Sequence, residues 1–170
     1  MSAMRWQVLA LSCAGLVFAA VAMSASADDG ISWRRTSSRV ALTRDGGALD
    51  LLVPRGRARG ARSDAIAIVP GGRYRASVEL DVDAAVPRGA FLRVALYRGA
   101  DGRGRQRLIL DSAFATADGP REVAFAAPPW ARAARLRILA RPDRASRIRA
   151  RGASLAGERD APEVVLREGE

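Results

Sequence analysis

The clearest alternation of apolar and polar positions lies in residues 64–83, where two candidate strands flank Pro70-Gly71-Gly72. In the second strand, every other residue from Tyr74 to Val82 is apolar, and the residues between them are charged or polar. A period of two is typical of a β-strand with one buried and one solvated face. Pro-Gly-Gly is typical of a tight turn, so we expect the two strands to form an antiparallel pair.

Similar short patterns predict further strands, with turn residues between them at intervals of roughly 8–14 residues. The predicted strands are residues 31–36, 39–43, 48–53, 64–69, 72–83, 90–98, 106–113, 121–127, 134–140 and 147–155. Residues 54–62 are rich in glycine and arginine and have no apolar periodicity, so we expect a loop there. Nothing after residue 27 is patterned as a helix. The sequence therefore predicts an all-β fold, an antiparallel β-sandwich of the jelly-roll type.

The N-terminus has the layout of a signal peptide. Arg5 precedes an uncharged apolar run over residues 6–23, and Ala25-Ser26-Ala27 provides the small residues of a cleavage site. We expect a signal peptide at residues 1–27, a β-sandwich domain at 28–157 and a loosely ordered charged tail at 158–170. Cleavage would leave no membrane span and place the protein in the periplasm or outside the cell. The alternative is an uncleaved anchor, since the apolar run is just long enough to span a bilayer.

The composition excludes most catalytic classes. The 170-residue chain has a net charge of +10, and all 28 of its basic residues are arginine. Histidine is absent as well as lysine and asparagine, and the absence of the last two, whose codons are A-rich, indicates a GC-rich bacterial genome. Cys13, in the predicted leader, is the only cysteine, so no Ser-His-Asp triad, Cys-His dyad or zinc site can form after cleavage. The carboxylates occur singly, in turns or on solvated strand positions. We therefore predict a protein that is not an enzyme and has no metal or cofactor.

Five segments resemble a known family. Residues 66–78, IAIVPGGRYRASV, resemble a segment of the galactose-binding-like jelly rolls, in particular the CenC-type carbohydrate-binding modules of families 4, 9 and 22. Residues 92–97, residues 121–128 and the closing strands 134–140 and 148–155 resemble further segments in the same order. The resemblance covers about residues 30–157. It implies a jelly roll that binds a carbohydrate without catalysis.

The closing strand departs from the pattern of that family. Such modules often hold a structural calcium ion with a pair of carboxylates in this strand, where the present chain has Arg151, Gly152 and Ala153. Because Ca²⁺ requires oxygen ligands and arginine repels it, we expect no calcium site there.

The candidate ligand-binding residues are aromatic and basic. Phe91, Arg93 and Tyr97 fall on the outward face of one predicted strand, where they would form the floor of a groove that stacks on and hydrogen-bonds to sugars. Trp33 and Trp130 are further candidates. The alternatives are a packing face or ordinary exposed residues for the first three, and core residues that cover a sheet edge for the tryptophans.

Arginines also alternate along the two closing strands, at positions 135 and 137 and at 147, 149 and 151. We expect these strands to be neighbours and the arginines to face solvent. They would form a basic surface for an acidic polysaccharide, a lipopolysaccharide phosphate or a nucleic acid, or would only protect strand edges against aggregation. Export argues against nucleic acid as a partner.

Together these features predict an exported, non-catalytic module that binds an envelope or extracellular polysaccharide, neutral or acidic. The alternative is an accessory module, structural or bound to another envelope protein, that has lost sugar binding.

Overall fold

A computed structural model describes the backbone of residues 25–26 and residues 31–83, 89–113 and 117–158. These residues form strands and connecting turns and contain no helix, and so no apolar helix that could cross a membrane. The strands are β1 (Ala25–Ser26), β2 (Trp33–Arg35), β3 (Ala41–Asp45), β4 (Ala48–Val53), β5 (Arg59–Ser63), β6 (Ile66–Ala67), β7 (Arg73–Val82), β8 (Ala90–Tyr97), β9 (Leu108–Asp111), β10 (Gly119–Ala126), β11 (Ala133–Ala140) and β12 (Ser146–Glu158).

The strands form two antiparallel sheets of six strands each. Sheet A has the order β10-β7-β12-β4-β3, and β1 pairs with β12 beside this path. Sheet B has the order β2-β5-β11-β8-β9, and β6 pairs with β11. The predicted all-β antiparallel sandwich is therefore confirmed.

The core lies between the two sheets and is built from alternate residues of each strand. Leu92 and Leu96 of β8 and Ile138 of β11 come from sheet B, and Leu80 of β7 and Ile148 of β12 come from sheet A. All five are completely buried. Each such side chain stabilises the fold by about 1.5–3 kcal/mol relative to exposure. The intervening residues of each strand form the two outer faces of the sandwich.

The Pro-Gly-Gly turn joins the two sheets. The Gly72 N–H donates to the Val69 carbonyl over 3.1 Å, which closes the predicted turn. However, β6 pairs with β11 in sheet B, and β7 pairs with β12 and β10 in sheet A. The expectation of an antiparallel pair was therefore wrong. The turn carries the chain across the sandwich, because the apolar residues on either side of it face the same core from opposite sheets.

Strand β5 lies where the sequence predicted a loop. Its inward residues, Ala61 and Ser63, are too small and polar to give an apolar pattern, although both are completely buried. Gly60 allows β5 and β11 to approach closely, since a Cβ atom at this position would lie 1.9 Å from the Ile138 carbonyl oxygen. The Thr36 hydroxyl accepts a hydrogen bond from the Gly60 N–H at 2.9 Å. Backbone geometry, rather than apolar side chains, thus defines this strand.

The two arginine-rich closing strands belong to different sheets. Strand β11 lies between β5 and β8 in sheet B, and β12 lies between β4 and β7 in sheet A. The expectation that they are neighbours was wrong, because the chain crosses the sandwich between them. Each outer face therefore has its own set of arginines.

The predicted leader and tail lie almost entirely outside the described residues. Of residues 1–27, only Ala25 and Ser26 are described, and they pair with Leu155 and Ser154 of β12. The signal peptide, its cleavage and the charged tail therefore stay predictions.

Candidate binding site

The strand register brings four arginines and one aspartate into a row on the outer face of sheet B. Along this row Arg34 lies opposite Arg62, and Arg62 lies opposite Arg137. Next, Arg137 lies opposite Arg93, and Arg93 opposite Asp111. Residues directly opposite each other in a sheet share a face, so these five side chains are neighbours. We call Arg34, Arg62, Arg137 and Arg93 the arginine row.

A pocket of about 810 Å³ lies beside this row, between the strands and the loop that joins β8 to β9. Six arginines and two aspartates line it, so its charge is strongly positive. The lining residues are Arg34, Arg62, Asp64, Ala65, Tyr97, Asp101, Gly102, Arg103, Gly104, Arg105, Gln106, Arg135 and Arg137. We call it the arginine pocket. Its size is typical of a small-ligand site.

Arg135 fixes the wall of the pocket. Its guanidinium donates to the backbone carbonyl of Ser63 at 3.1 Å and to those of Asp101 and Gly102 at 3.2 Å each. A Cβ atom on Gly102 would lie 2.8 Å from Arg135 Nε, and Gly102 has φ of +62°, so only glycine suits this close approach. Arg135 therefore holds the β8–β9 loop against the sheet, while no described carboxylate pairs with its charge.

Tyr97 holds Arg137 in place. The Tyr97 ring is only 4% exposed and packs against Ala95 and Ala133, beneath the Arg135 guanidinium 5.9 Å from its centre. Its hydroxyl accepts a hydrogen bond of 2.9 Å from Arg137 Nη2. The tyrosine thus orients a charged donor from below.

At one end of the row, Arg93 is neutralised. Its Nε and Nη2 donate to the two carboxylate oxygens of Asp111 at 2.6 and 2.7 Å. This bidentate bond raises the pKa of Arg93 above its ordinary value, against the opposing effect of burial. The guanidinium also lies 5.3 Å from the centre of the Phe91 ring, which is 1% exposed.

At the other end, Arg34 pairs with Asp64 at 3.3 Å. Arg62 and Arg137, in the middle, have no carboxylate partner among the residues that the structure describes. Arg137 Nε and Gln106 Oε1 are buried and lack a hydrogen-bond partner within the same part of the chain. The centre of the row therefore carries two positive charges that are free to meet an anion.

The structure brings three of the five predicted site residues onto one face. Phe91, Arg93 and Tyr97 do share the outer face of β8, but both aromatic rings lie under guanidinium groups. Trp33 is buried in the core, and Trp130 is partly buried against it. Sequence reasoning missed Arg62, because it lies in the predicted loop. The alternation of arginines at 135 and 137 was the signal that pointed to Arg137.

On the outer face of sheet A, arginines lie among carboxylates instead. Arg75 pairs with Glu122 and Glu158, at 3.0 and 3.2 Å. Arg149 pairs with Asp45 at 3.2 Å, and Arg151 pairs with Asp81. Across the described ranges, no three acidic, histidine or cysteine side chains are grouped so as to hold a metal ion.

No protein-family model and no curated protein sequence matches the chain. Solved structures do match its fold. The C-terminal family 22 carbohydrate-binding module of Clostridium thermocellum xylanase 10B is 15% identical, with a TM-score of 0.53 over 79% of this chain and 91% of that one. The linked CBM22-1 and GH10 modules of this xylanase, complexed with xylohexaose, are 16% identical, with a TM-score of 0.55 over 75% of this chain. The chain spans about a quarter (26%) of that two-module structure.

The fold also occurs in a structure of accessory secretory proteins 1, 2 and 3 from Streptococcus pneumoniae, with 11% identity and a TM-score of 0.51 over 74% of this chain and 90% of that one. At such low identities these matches establish the fold and leave the ligand open. The chain has the jelly-roll fold of carbohydrate-binding modules, as the resemblance of its sequence implied.

Proposed function

We propose that the chain is an exported, non-catalytic module that binds a polysaccharide at the arginine pocket. The observation that carries this proposal is a pocket of about 810 Å³ whose hydrogen-bond donors are held in place before any ligand arrives. Three backbone carbonyls fix Arg135, and the Tyr97 hydroxyl fixes Arg137. Donors that are already ordered lose little entropy on binding. Sugar hydroxyl oxygens are suitable acceptors for them.

The pairing of the carboxylates in the pocket supports the proposal that the module is non-catalytic. Glycoside hydrolysis usually needs two free carboxyl groups on opposite sides of the scissile bond. Here Asp64 pairs with Arg34, and Asp101 accepts from the Arg103 N–H at 2.9 Å. These are the only two carboxylates among the described residues that line the pocket. Both are engaged in contacts that support the structure of the pocket, which favours binding over hydrolysis.

The predicted site residues have different roles in this proposal. Arg93 lies outside the pocket and is neutralised by Asp111, whereas Tyr97 supports the pocket by orienting Arg137. Phe91 lies beneath Arg93, and Trp33 and Trp130 stabilise the core. The contact surface is therefore made of guanidinium groups rather than open aromatic rings.

The burial of the predicted aromatic site residues supports a second function. Sugar-binding surfaces usually expose aromatic faces, and Phe91, Tyr97 and Trp33 are all at least 96% buried. This favours an accessory module, structural or bound to another envelope protein, that keeps the jelly roll without a sugar site.

Affinity electrophoresis distinguishes the two functions. The protein, purified after export from an expression host, is run through gels that contain neutral or acidic polysaccharides, at low salt and at about 0.15 M salt, where charges are screened beyond about 8 Å. We expect retardation by at least one polysaccharide at the higher salt concentration. If no polysaccharide retards the protein and a pull-down retrieves an envelope protein, the accessory function replaces sugar binding.

A further inference from the structure

Two positive charges lie next to each other at the centre of the arginine row, and their repulsion destabilises the folded protein. Arg62 on β5 and Arg137 on β11 lie directly opposite each other. Side chains in such pairs have Cβ atoms about 5 Å apart, and like charges there destabilise the sheet. Asp64 and Asp111 neutralise the arginines at the two ends of the row, and no described carboxylate does so for the central pair.

Composition does not explain this arrangement. In sheet A, Arg149 of β12 lies opposite Asp50 of β4 on one side and Asp81 of β7 on the other. Arg151 likewise lies opposite Glu79. The same arginine-rich chain thus places Arg149 and Arg151 opposite carboxylates on one face and the members of the arginine row opposite one another on the other face. A codon bias towards arginine would affect both faces equally, so it does not account for the difference between them.

We propose that the arginine pocket binds the negatively charged group of an acidic polysaccharide, and that Arg62 and Arg137 hold this group between them. This inference rests on the proposed function and specifies its ligand class. A carboxylate or sulfate group on a sugar presents several acceptor oxygens, which two guanidinium groups can share through charge-assisted hydrogen bonds. Such a group removes the repulsion between Arg62 and Arg137. The volume of the pocket, about 810 Å³, leaves room for the sugar ring that carries the charge.

Titration of the exported, purified protein with three polymers at about 0.15 M salt tests the inference. Alginate presents carboxylates, dextran sulfate presents sulfates, and dextran is neutral. We expect one or both acidic polymers to bind, and dextran to bind at least about tenfold more weakly, since hydrogen bonds to ionised groups are roughly twice as strong as neutral ones. The tighter of the two acidic polymers identifies the anionic group.

Single substitutions then locate the site. Arg62→Gln and Arg137→Gln should each weaken binding of the acidic polymer about tenfold, as expected for the loss of a charge-assisted contact. Arg147→Gln is the matched control, since Arg147 is an exposed arginine on the outer face of sheet A, away from the arginine pocket. It should change binding less than about twofold, as expected for an exposed charge screened by salt.

A measurement without ligand gives a second readout. If Arg62 and Arg137 repel each other, Arg62→Gln should raise the melting temperature of the free protein by about 1–3 °C, whereas Arg147→Gln should not. An unchanged or lowered melting temperature with Arg62→Gln would count against the repulsion on which the inference rests.

The outcomes separate the inference from the proposed function. Equal binding of dextran and alginate, unaffected by Arg62→Gln, would overturn the anionic ligand and leave a polysaccharide site in place. Equal losses in Arg62→Gln and Arg147→Gln would reduce binding to general electrostatic attraction and would also overturn the inference. No binding of either acidic polymer would overturn the inference, whereas the proposed function is overturned only by the affinity electrophoresis and pull-down described above. The same titration with anionic lipid vesicles covers the remaining case. If the protein binds the vesicles and none of the polymers, the ligand is a membrane surface rather than a polysaccharide.

Discussion

On the outer face of sheet A, Arg149 and Arg151 lie opposite carboxylates, whereas on the outer face of sheet B the members of the arginine row lie opposite one another. Arg149 has an aspartate on each side in the strand register, and Arg62 has an arginine on each side. Both faces draw on the same pool of 28 basic residues, without lysine. The comparison shows that strand register, rather than composition, decides which arginines remain available. Within the described residues, the arginine row of sheet B has the properties of an anion-binding surface.

The largest expected effect concerns the close approach of β5 to β11, on which the arginine row depends. In Gly60→Ala, the new Cβ atom would meet the Ile138 carbonyl oxygen, and one of the two strands must move. Overpacking of this kind costs about 3 kcal/mol, which lowers the melting temperature by roughly 6–12 °C in a chain of this size. Thermal unfolding followed by circular dichroism measures the change.

Gly157→Ala in sheet A is the control, because its Cβ atom would meet only Tyr74 Cε1, at an ordinary distance of 3.7 Å. Similar melting temperatures for the two variants would show that β5 and β11 do not approach as closely as described.

The second-largest effect is expected from removing a tyrosine hydroxyl, and two tyrosines, one on each sheet, allow a comparison. Tyr97→Phe removes the acceptor of Arg137, and the loss of a hydrogen bond to a charged group should cost about 1.5 kcal/mol of stability. It should also weaken polysaccharide binding, since Arg137 loses its orientation. Urea unfolding and affinity electrophoresis measure the two effects.

Tyr74→Phe is the matched variant, since the Tyr74 hydroxyl accepts from the Val69 N–H at 2.6 Å and lies outside the pocket. It should cost about 1 kcal/mol and leave binding unchanged. Equal weakening of binding by both variants would contradict a specific role for Tyr97.

A smaller effect distinguishes the ion pairs of the two faces. The side chains of Arg93 and Asp111 are only 22% and 33% exposed, and those of Arg151 and Asp81 are more exposed. Asp111→Asn should therefore cost about 0.5–1 kcal/mol, limited by solvent screening, and Asp81→Asn should have no measurable effect. Urea unfolding of the two variants beside the wild type tests this order, and the reverse order would contradict it.

The pH dependence of the Asp111→Asn effect follows from the pKa of Arg93. Asp111 raises this pKa in the folded state, so the stabilisation is fully present below the pKa of the unfolded chain. It is lost only as the pH rises through the folded-state pKa, in strong alkali. The difference between wild type and variant should therefore be constant between about pH 6 and 9. A marked change within that window would contradict the assignment to Arg93.

The smallest expected effect is that of calcium. Arg151 and Gly152 lie at the bulge of β12, where the resemblance of the sequence to carbohydrate-binding modules implies a pair of carboxylates. We expect 5 mM CaCl₂ and 5 mM EDTA to give melting temperatures within about 1 °C of each other, because no three acidic side chains of the described residues are grouped to supply the six to eight oxygen ligands that Ca²⁺ takes. A larger stabilisation by calcium would reveal a site that the sequence does not indicate.

The sequence predicts the strands that alternate apolar and polar residues and fails where that signal is absent. Residues 48–53 and 90–98 alternate or are rich in apolar residues, and β4 and β8 lie there. The strand β5 was missed, because Ala61 and Ser63 face the core with almost no apolar surface. The predicted pairing across Pro70 was wrong, since periodicity shows which residues are buried and not which strands are neighbours.

The site was predictable only in part for the same reason. Alternation placed Phe91, Arg93 and Tyr97 on one outer face, which the structure confirms. It could not show that Arg135 lies over Tyr97, or that Arg62 faces Arg137, because both contacts depend on the register between strands. Local sequence carries little information about register in a sheet whose partners are distant in the chain.

Strand β12 is the last described strand along the chain, yet it occupies a central place in sheet A. It inserts between β4 and β7, and its ion pair from Arg149 to Asp45 joins residues 104 positions apart. Contacts between such distant residues form slowly, because a long loop must close first. Until β12 arrives, β4 and β7 each present an unpaired edge that can pair with another molecule. We therefore expect the concentration at which the chain refolds, more than the stability of the finished sandwich, to limit the yield of native protein.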